Sequence, residues 1–140
     1  VLRIERNGTV EELPVPNENY LLVTRLPNFL SKRFGEAVAT RDQSMWPYVN
    51  VFCGNHGVGT RAVELLLQPE AETVLESLHN ELGGITEFQV LFRVYNIEVT
   101  PDGFHRASTI EIFDVVPITI DAKQYKRAHQ YAMRRLFHGG

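Results

Sequence analysis

The sequence predicts an α+β fold, with a mostly antiparallel sheet and two principal helices. Three observations carry that expectation. Two long β-type runs, 85–100 and 105–120, flank Pro101-Asp102-Gly103, where Pro fixes φ and Gly permits a positive φ, so they read as one long hairpin. Ala71, Val74, Leu75, Leu78 and Leu82 recur at helical spacing between Pro69 and Gly83-Gly84, which predicts a helix over 69–82. A second such stripe, Ala122, Tyr125, His129, Ala132 and Leu136, predicts a helix over 121–137 capped by Asp121.

The remaining elements follow in order. Leu2–Glu5 and Val10–Leu13 around Asn7-Gly8 read as a small hairpin. Pro14 and Pro16 interrupt regular structure, and Tyr20–Leu26 has the content of a buried strand. Asn28–Thr40 reads as a helix capped by Asn28 and weakened by Gly35. Gln43–Pro47 is expected as a loop and Tyr48–Cys53 as a core strand ending in a small apolar cysteine. Arg61–Leu67 fits strand or helix equally. Within the long hairpin, Phe88, Val90, Phe92 and Val94 should share a face. So should Ile110, Ile112, Val116, Ile118 and Ile120, with a bulge where the alternation slips.

Length and composition set the bounds. A chain of 140 residues fits one domain, residues 1–140, with near-average apolar and charged content. No apolar run reaches membrane-spanning length, and no signal-type segment opens the sequence as given. Its start at Val1 fits an excised domain or a processed product. A single cysteine, Cys53, excludes an internal disulfide framework and points to a reducing, intracellular compartment, cytoplasmic or nuclear. Net charge is −3 but uneven: residues 121–140 carry +4 and the rest −7.

The densest chemistry lies at Cys53–Arg61. Gly54, His56, Gly57, Gly59, Thr60 and Arg61 form a candidate ligand-binding loop, because a glycine-rich turn after a strand can aim backbone N–H groups at an anion. Its glycine spacing resembles the P-loop of nucleoside triphosphatases, which would imply a phosphate or nucleotide ligand. Ile110–Asp114 resembles the acidic strand that holds Mg²⁺ in such proteins. The resemblance fails at Thr60, where the lysine belongs, and at Arg61, where Ser or Thr belongs. Cys53 with a histidine base, His56, His79, His105 or His129, is the alternative, Cys-dependent enzyme reading.

No catalytic set, metal-ligand spacing or cofactor is expected from the sequence. Glu98 and Glu111 are expected to approach each other across the hairpin. The basic terminal helix, with Lys123, Lys126, Arg127, Arg134 and Arg135, is a candidate partner-binding surface for an acidic protein or, alternatively, nucleic acid. The terminal Arg135–Gly140 resembles the di-glycine tail of ubiquitin-like modifiers, or a viral polyprotein end cut by a papain-like protease. Arg25-Leu26-Pro27-Asn28-Phe29-Leu30-Ser31 resembles the segment opening the dimerisation barrels of Leo-type RNA polymerase II elongation factors and of the small TFIIF subunit. That resemblance implies a β-rich heterodimerisation module. The reading favours a non-enzymatic interaction or assembly module. Its contacts would be a sheet edge and the basic helix, and its partner another protein or itself, with no membrane.

Overall fold

The long hairpin forms as its turn chemistry directs. In the computed structural model, which describes residues 2–6, 8–13, 18–40, 45–119 and 121–137, strands β5 (Phe88–Val99) and β6 (His105–Pro117) run antiparallel. Gly103 sits at φ +80°, and its N–H bonds the Thr100 carbonyl at 2.8 Å. A small hairpin, β1 (Leu2–Arg6) and β2 (Thr9–Leu13), stands as its own two-stranded sheet. Strands β3 (Asn19–Pro27) and β4 (Tyr48–Gly54) join the long hairpin in one open sheet of order β4-β3-β5-β6, antiparallel throughout. The α+β expectation therefore holds, with the hairpin as half of the main sheet.

The bulge has a measurable consequence. Leu91 pairs with Asp114 and Phe92 with Ile112, so Phe113 is the extra residue. Beyond it the faces exchange: Val115, opposite Val90, joins Ile110 and Ile112 against the core, while Val116 pairs with Gln89 on the other face. The expectation that Val116 shares the Ile110 face is thus corrected by one inserted residue. Ile118 lies past the strand end, where its N–H bonds the Glu87 carbonyl at 2.9 Å, and Ile120 falls outside the described residues.

The core lies on one face of this sheet. Leu21, Val23, Val90, Phe92, Val94 and Ala107 meet Ala62, Leu78 and Leu82 from the helices. Those helices are α2 (Gly57–Arg61), α3 (Val63–Leu66) and α4 (Glu72–Leu82), so the ambiguous 61–67 run resolves as helical. Pro69–Ala71 forms a 3-10 turn before α4, because the Ala71 N–H bonds Gln68 three residues back. Gly83 ends α4 in the left-handed region at φ +56°. Of the expected stripe, Ala71, Leu78 and Leu82 are buried, whereas Leu75 stays exposed.

A second cluster forms away from that core. Helix α1 (Lys32–Thr40) begins four residues later than expected: the Asn28 N–H bonds the Pro47 carbonyl at 2.6 Å, and the chain first makes a turn in which the Ser31 N–H bonds the Asn28 carbonyl at 2.9 Å. Phe34 and Ala37 of α1 pack on Trp46 and on Tyr125 of α5 (Ala122–Phe137). Three aromatic edge-to-face contacts at 5.4–6.2 Å tie Phe34, Trp46 and Tyr125 together. Gly35 earns its place here: a Cβ would lie 2.9 Å from His129 Nε2, so the glycine lets α5 approach. Asp121 caps α5 reciprocally, its carboxylate accepting from the Gln124 N–H at 2.8 Å while Gln124 Oε1 accepts from the Asp121 N–H at 3.1 Å.

Candidate functional site

The glycine-rich segment folds as the corner between β4 and α2. Two of its three glycines are needed by packing. A Cβ on Gly54 would come within 2.1 Å of the Thr60 nitrogen, and one on Gly59 within 2.3 Å of the Tyr20 carbonyl oxygen. Gly54, Gly59 and Thr60 are therefore brought together as a backbone crossing. The Thr60 N–H is spent on the His56 carbonyl at 3.1 Å and the Asn55 N–H on Tyr20 at 3.3 Å. His56 and Gly57 are exposed at the start of α2. Arg61 reaches Glu64 at 3.8 Å and stacks over Phe104 of the hairpin turn, 5.5 Å from its ring centre.

The order strand, glycine turn, helix matches the P-loop resemblance, but the sheet around it differs. P-loop proteins build on parallel strands, whereas this sheet is antiparallel. The acidic strand Ile110–Asp114 belongs to β6, with β3 and β5 standing between it and β4. Three strand spacings put it roughly 14 Å away. Cys53 is an exposed thiol opposite Leu22, which corrects the reading of 48–53 as a core strand. Of the candidate bases, His129 is committed to the Phe29 carbonyl at 2.6 Å.

Asn55 is the residue of this corner that sequence reasoning passed over. Its Oδ1 accepts from the Tyr20 N–H at 2.8 Å and its amide donates to the Glu18 carbonyl at 3.1 Å, so it closes the end of β3 as a strand would. Beside it runs a polar chain on the sheet's other face. Arg93 lies 2.9 Å from Glu18 and 3.6 Å from Glu111, Tyr95 donates to Glu111 at 3.2 Å, and Tyr20 donates to Glu18. Burial, reinforced by that bond to Glu18, pushes the Tyr20 hydroxyl up to about 12. The expected meeting of Glu98 and Glu111 is replaced by opposite-charge pairs, since the register sets Glu98 against Arg106 and Glu111 against Arg93. Arg93 inside an apolar run was the sequence signal for this chain.

The two sheet edges differ in kind. Strand β6 carries the bulge at Phe113, a terminal Pro117, and His105, Arg106, Glu111 and Asp114 along its length, the features that discourage pairing. Strand β4 carries none of them. Tyr48-Val49-Asn50-Val51-Phe52-Cys53-Gly54 contains no acidic or basic residue and no proline. Residues 49–53 are all exposed, Val51 at 50% and Phe52 at 43%. Among the described residues no second strand pairs with β4.

The five predicted partner-binding cations, Lys123, Lys126, Arg127, Arg134 and Arg135, are all exposed on α5. At 100° per residue Lys123, Arg127 and Arg134 stand opposite the buried Tyr125 and Ala132, with Lys126 and Arg135 on the flanks. Arg135 folds over Tyr131, 5.6 Å from its ring centre. The di-glycine tail falls outside the described residues. Among the described residues no group of three or more His, Cys, Asp or Glu could hold a metal ion, and no helix is long and apolar enough to cross a membrane. Comparison with protein-family models, curated proteins and solved structures finds no match to this chain.

Proposed function

We propose that this chain is a non-enzymatic protein interaction module that docks a partner strand on the edge of β4. The carrying observation is the unguarded state of that edge: seven residues without charge, proline or bulge, exposed from Val49 to Cys53. An added strand would satisfy its free backbone groups, and the exposed apolar side chains would supply the contact energy. The resemblance of Arg25–Ser31 to the segment opening transcription-factor dimerisation modules supports the same class of contact, a β-mediated pairing of two chains.

Cys53 provides the test. A benzophenone attached to it should yield discrete crosslinked species in extract, and Val51→Lys should abolish them. The same probe on a Ser108→Cys, Cys53→Ser variant, which moves it to β6, should yield none. Crosslinking that is equal from both edges, or unaffected by Val51→Lys, overturns the reading.

The exposed cations of α5 support a second reading, an anionic partner such as an acidic protein surface or nucleic acid. In that case binding to a short duplex should weaken steeply with salt, and Arg134→Ala with Arg135→Ala should reduce the slope. Salt-independent binding, or no binding, removes nucleic acid from consideration.

A further inference from the structure

The docking edge has a self-complementary form, and from it we infer that the partner strand is β4 of a second copy of this chain. This rests on the reading of β4 as a docking edge and names its occupant. The two copies pair antiparallel about a two-fold axis perpendicular to the sheet through Val51.

Charge is the first argument. A two-fold axis sets each residue of an edge strand against its own image or a near neighbour, and like charges placed opposite each other repel. Tyr48–Gly54 holds no Asp, Glu, Lys, Arg or His, so nothing in it opposes its copy. The other edge fails the same operation. The midpoint of His105–Pro117 is Glu111, and full-length self-pairing would set that carboxylate against itself.

Register is the second argument. The midpoint of Tyr48–Gly54 is Val51, so an axis there pairs the whole strand. Val49 then faces Cys53 of the mate and Val51 faces Val51, giving one unbroken strip of small apolar side chains. This strip lies on the face that carries Leu22, which pairs with Cys53 inside the sheet. On the opposite face Phe52 lies across from Asn50 and Tyr48 across from Gly54. Each aromatic ring thus meets a smaller residue, in one case a glycine with no side chain of its own. Moving the axis to Asn50 or Phe52 shortens the ladder, and the Asn50 axis sets Tyr48 against Phe52. The result is a continuous eight-stranded sheet, β6-β5-β3-β4 followed by its image, with the α2–α4 layer of both copies on the same side.

The experiment uses the purified chain alone. Sedimentation equilibrium should give twice the 16.0 kDa mass of one chain. Val51→Lys, which puts two ammonium groups on the axis, should weaken the dimer at least tenfold with circular dichroism unchanged, and Val51→Thr should leave it intact. The register is read separately, in a Cys53→Ser background, so that a folding defect in the lysine variant cannot hide the answer. There, Val51→Cys should join its mate through a short bis-thiol reagent. Val49→Cys should not, because its image lies four residues along, about 14 Å away. A monomeric wild type, a dimer indifferent to Val51→Lys, or crosslinking that favours position 49 over 51 overturns self-pairing. A monomer that still crosslinks from Cys53 in extract refutes the second copy while leaving the docking edge standing.

Discussion

The carbonyl oxygen of Tyr20 lies 2.3 Å from the point where Gly59 would carry a Cβ. Strand β3 and helix α2 therefore touch backbone to backbone, and this contact sets the corner from which β4 and the helices diverge. Gly59→Ala should force the helix off the strand and cost about 3 kcal/mol, as overpacking against rigid backbone does. Gly57 meets nothing within 4 Å at its Cβ position. Gly57→Ala should therefore be neutral or stabilise by up to about 1 kcal/mol through helix propensity. Urea midpoints of the two variants measure the contrast, and equal effects would remove the packing account of the glycines.

Asn55 should behave as a structural clasp. Asn55→Ala leaves the Tyr20 N–H and the Glu18 carbonyl without their partner, and because water reaches this site the cost should be about 1 kcal/mol. Asn55→Asp keeps the acceptor and loses the donor, so it should fall between wild type and alanine. Amide exchange at Tyr20 reads the loss locally.

Alkaline titration should separate the tyrosines. Burial, with the negative charge of Glu87 nearby, pushes the Tyr125 hydroxyl up to about 12, and Tyr20 is raised to a similar value. In the unfolded chain both ionise near 10. Because the folded values are raised, the stability they confer is fully present below about pH 10 and is lost as pH climbs from there towards 12. Tyrosinate absorbance should show these two hydroxyls titrating late, and the melting temperature should fall over that window. Tyr125 also lacks a hydrogen-bond partner among the described residues. Tyr125→Phe should therefore keep or slightly raise neutral-pH stability while removing one late titration.

The contact between α1 and α5 should depend on one imidazole. His129 Nδ1 donates to the Phe29 carbonyl at 2.6 Å, and the ring lies 5.6 Å from that of Phe34. His129→Ala should cost about 1–2 kcal/mol. His129→Asn, whose amide can occupy the Nδ1 position, should recover part of it in thermal melts.

Much of the fold was legible because its signals are local. Pro101-Asp102-Gly103 announces its turn, the 71–82 spacing its helix, and Asp121 with Gln124 the start of α5. Asn28 shows where local reasoning stops: it has the chemistry of a cap, but the chain there is held to Pro47 across a loop and makes a separate turn, and the helix begins only at Lys32. The glycine-rich corner shows the same limit. Gly54 and Gly59 have the spacing of an anion loop, yet each is required where the chain crosses itself.

The sequence by itself determined the helix over 72–82, the antiparallel hairpin and the amphipathic basic helix, because caps, turns and periodicity act between residues a few positions apart; it left 61–67 open between strand and helix. Only the tertiary structure decided that 48–54 is an edge rather than a core strand, that one bulge residue exchanges the faces of β6, and that Trp46 and Tyr125 build a second cluster. Those outcomes depend on which distant strand lies alongside, and strand order is set by how the whole chain buries its apolar faces, which no local pattern encodes.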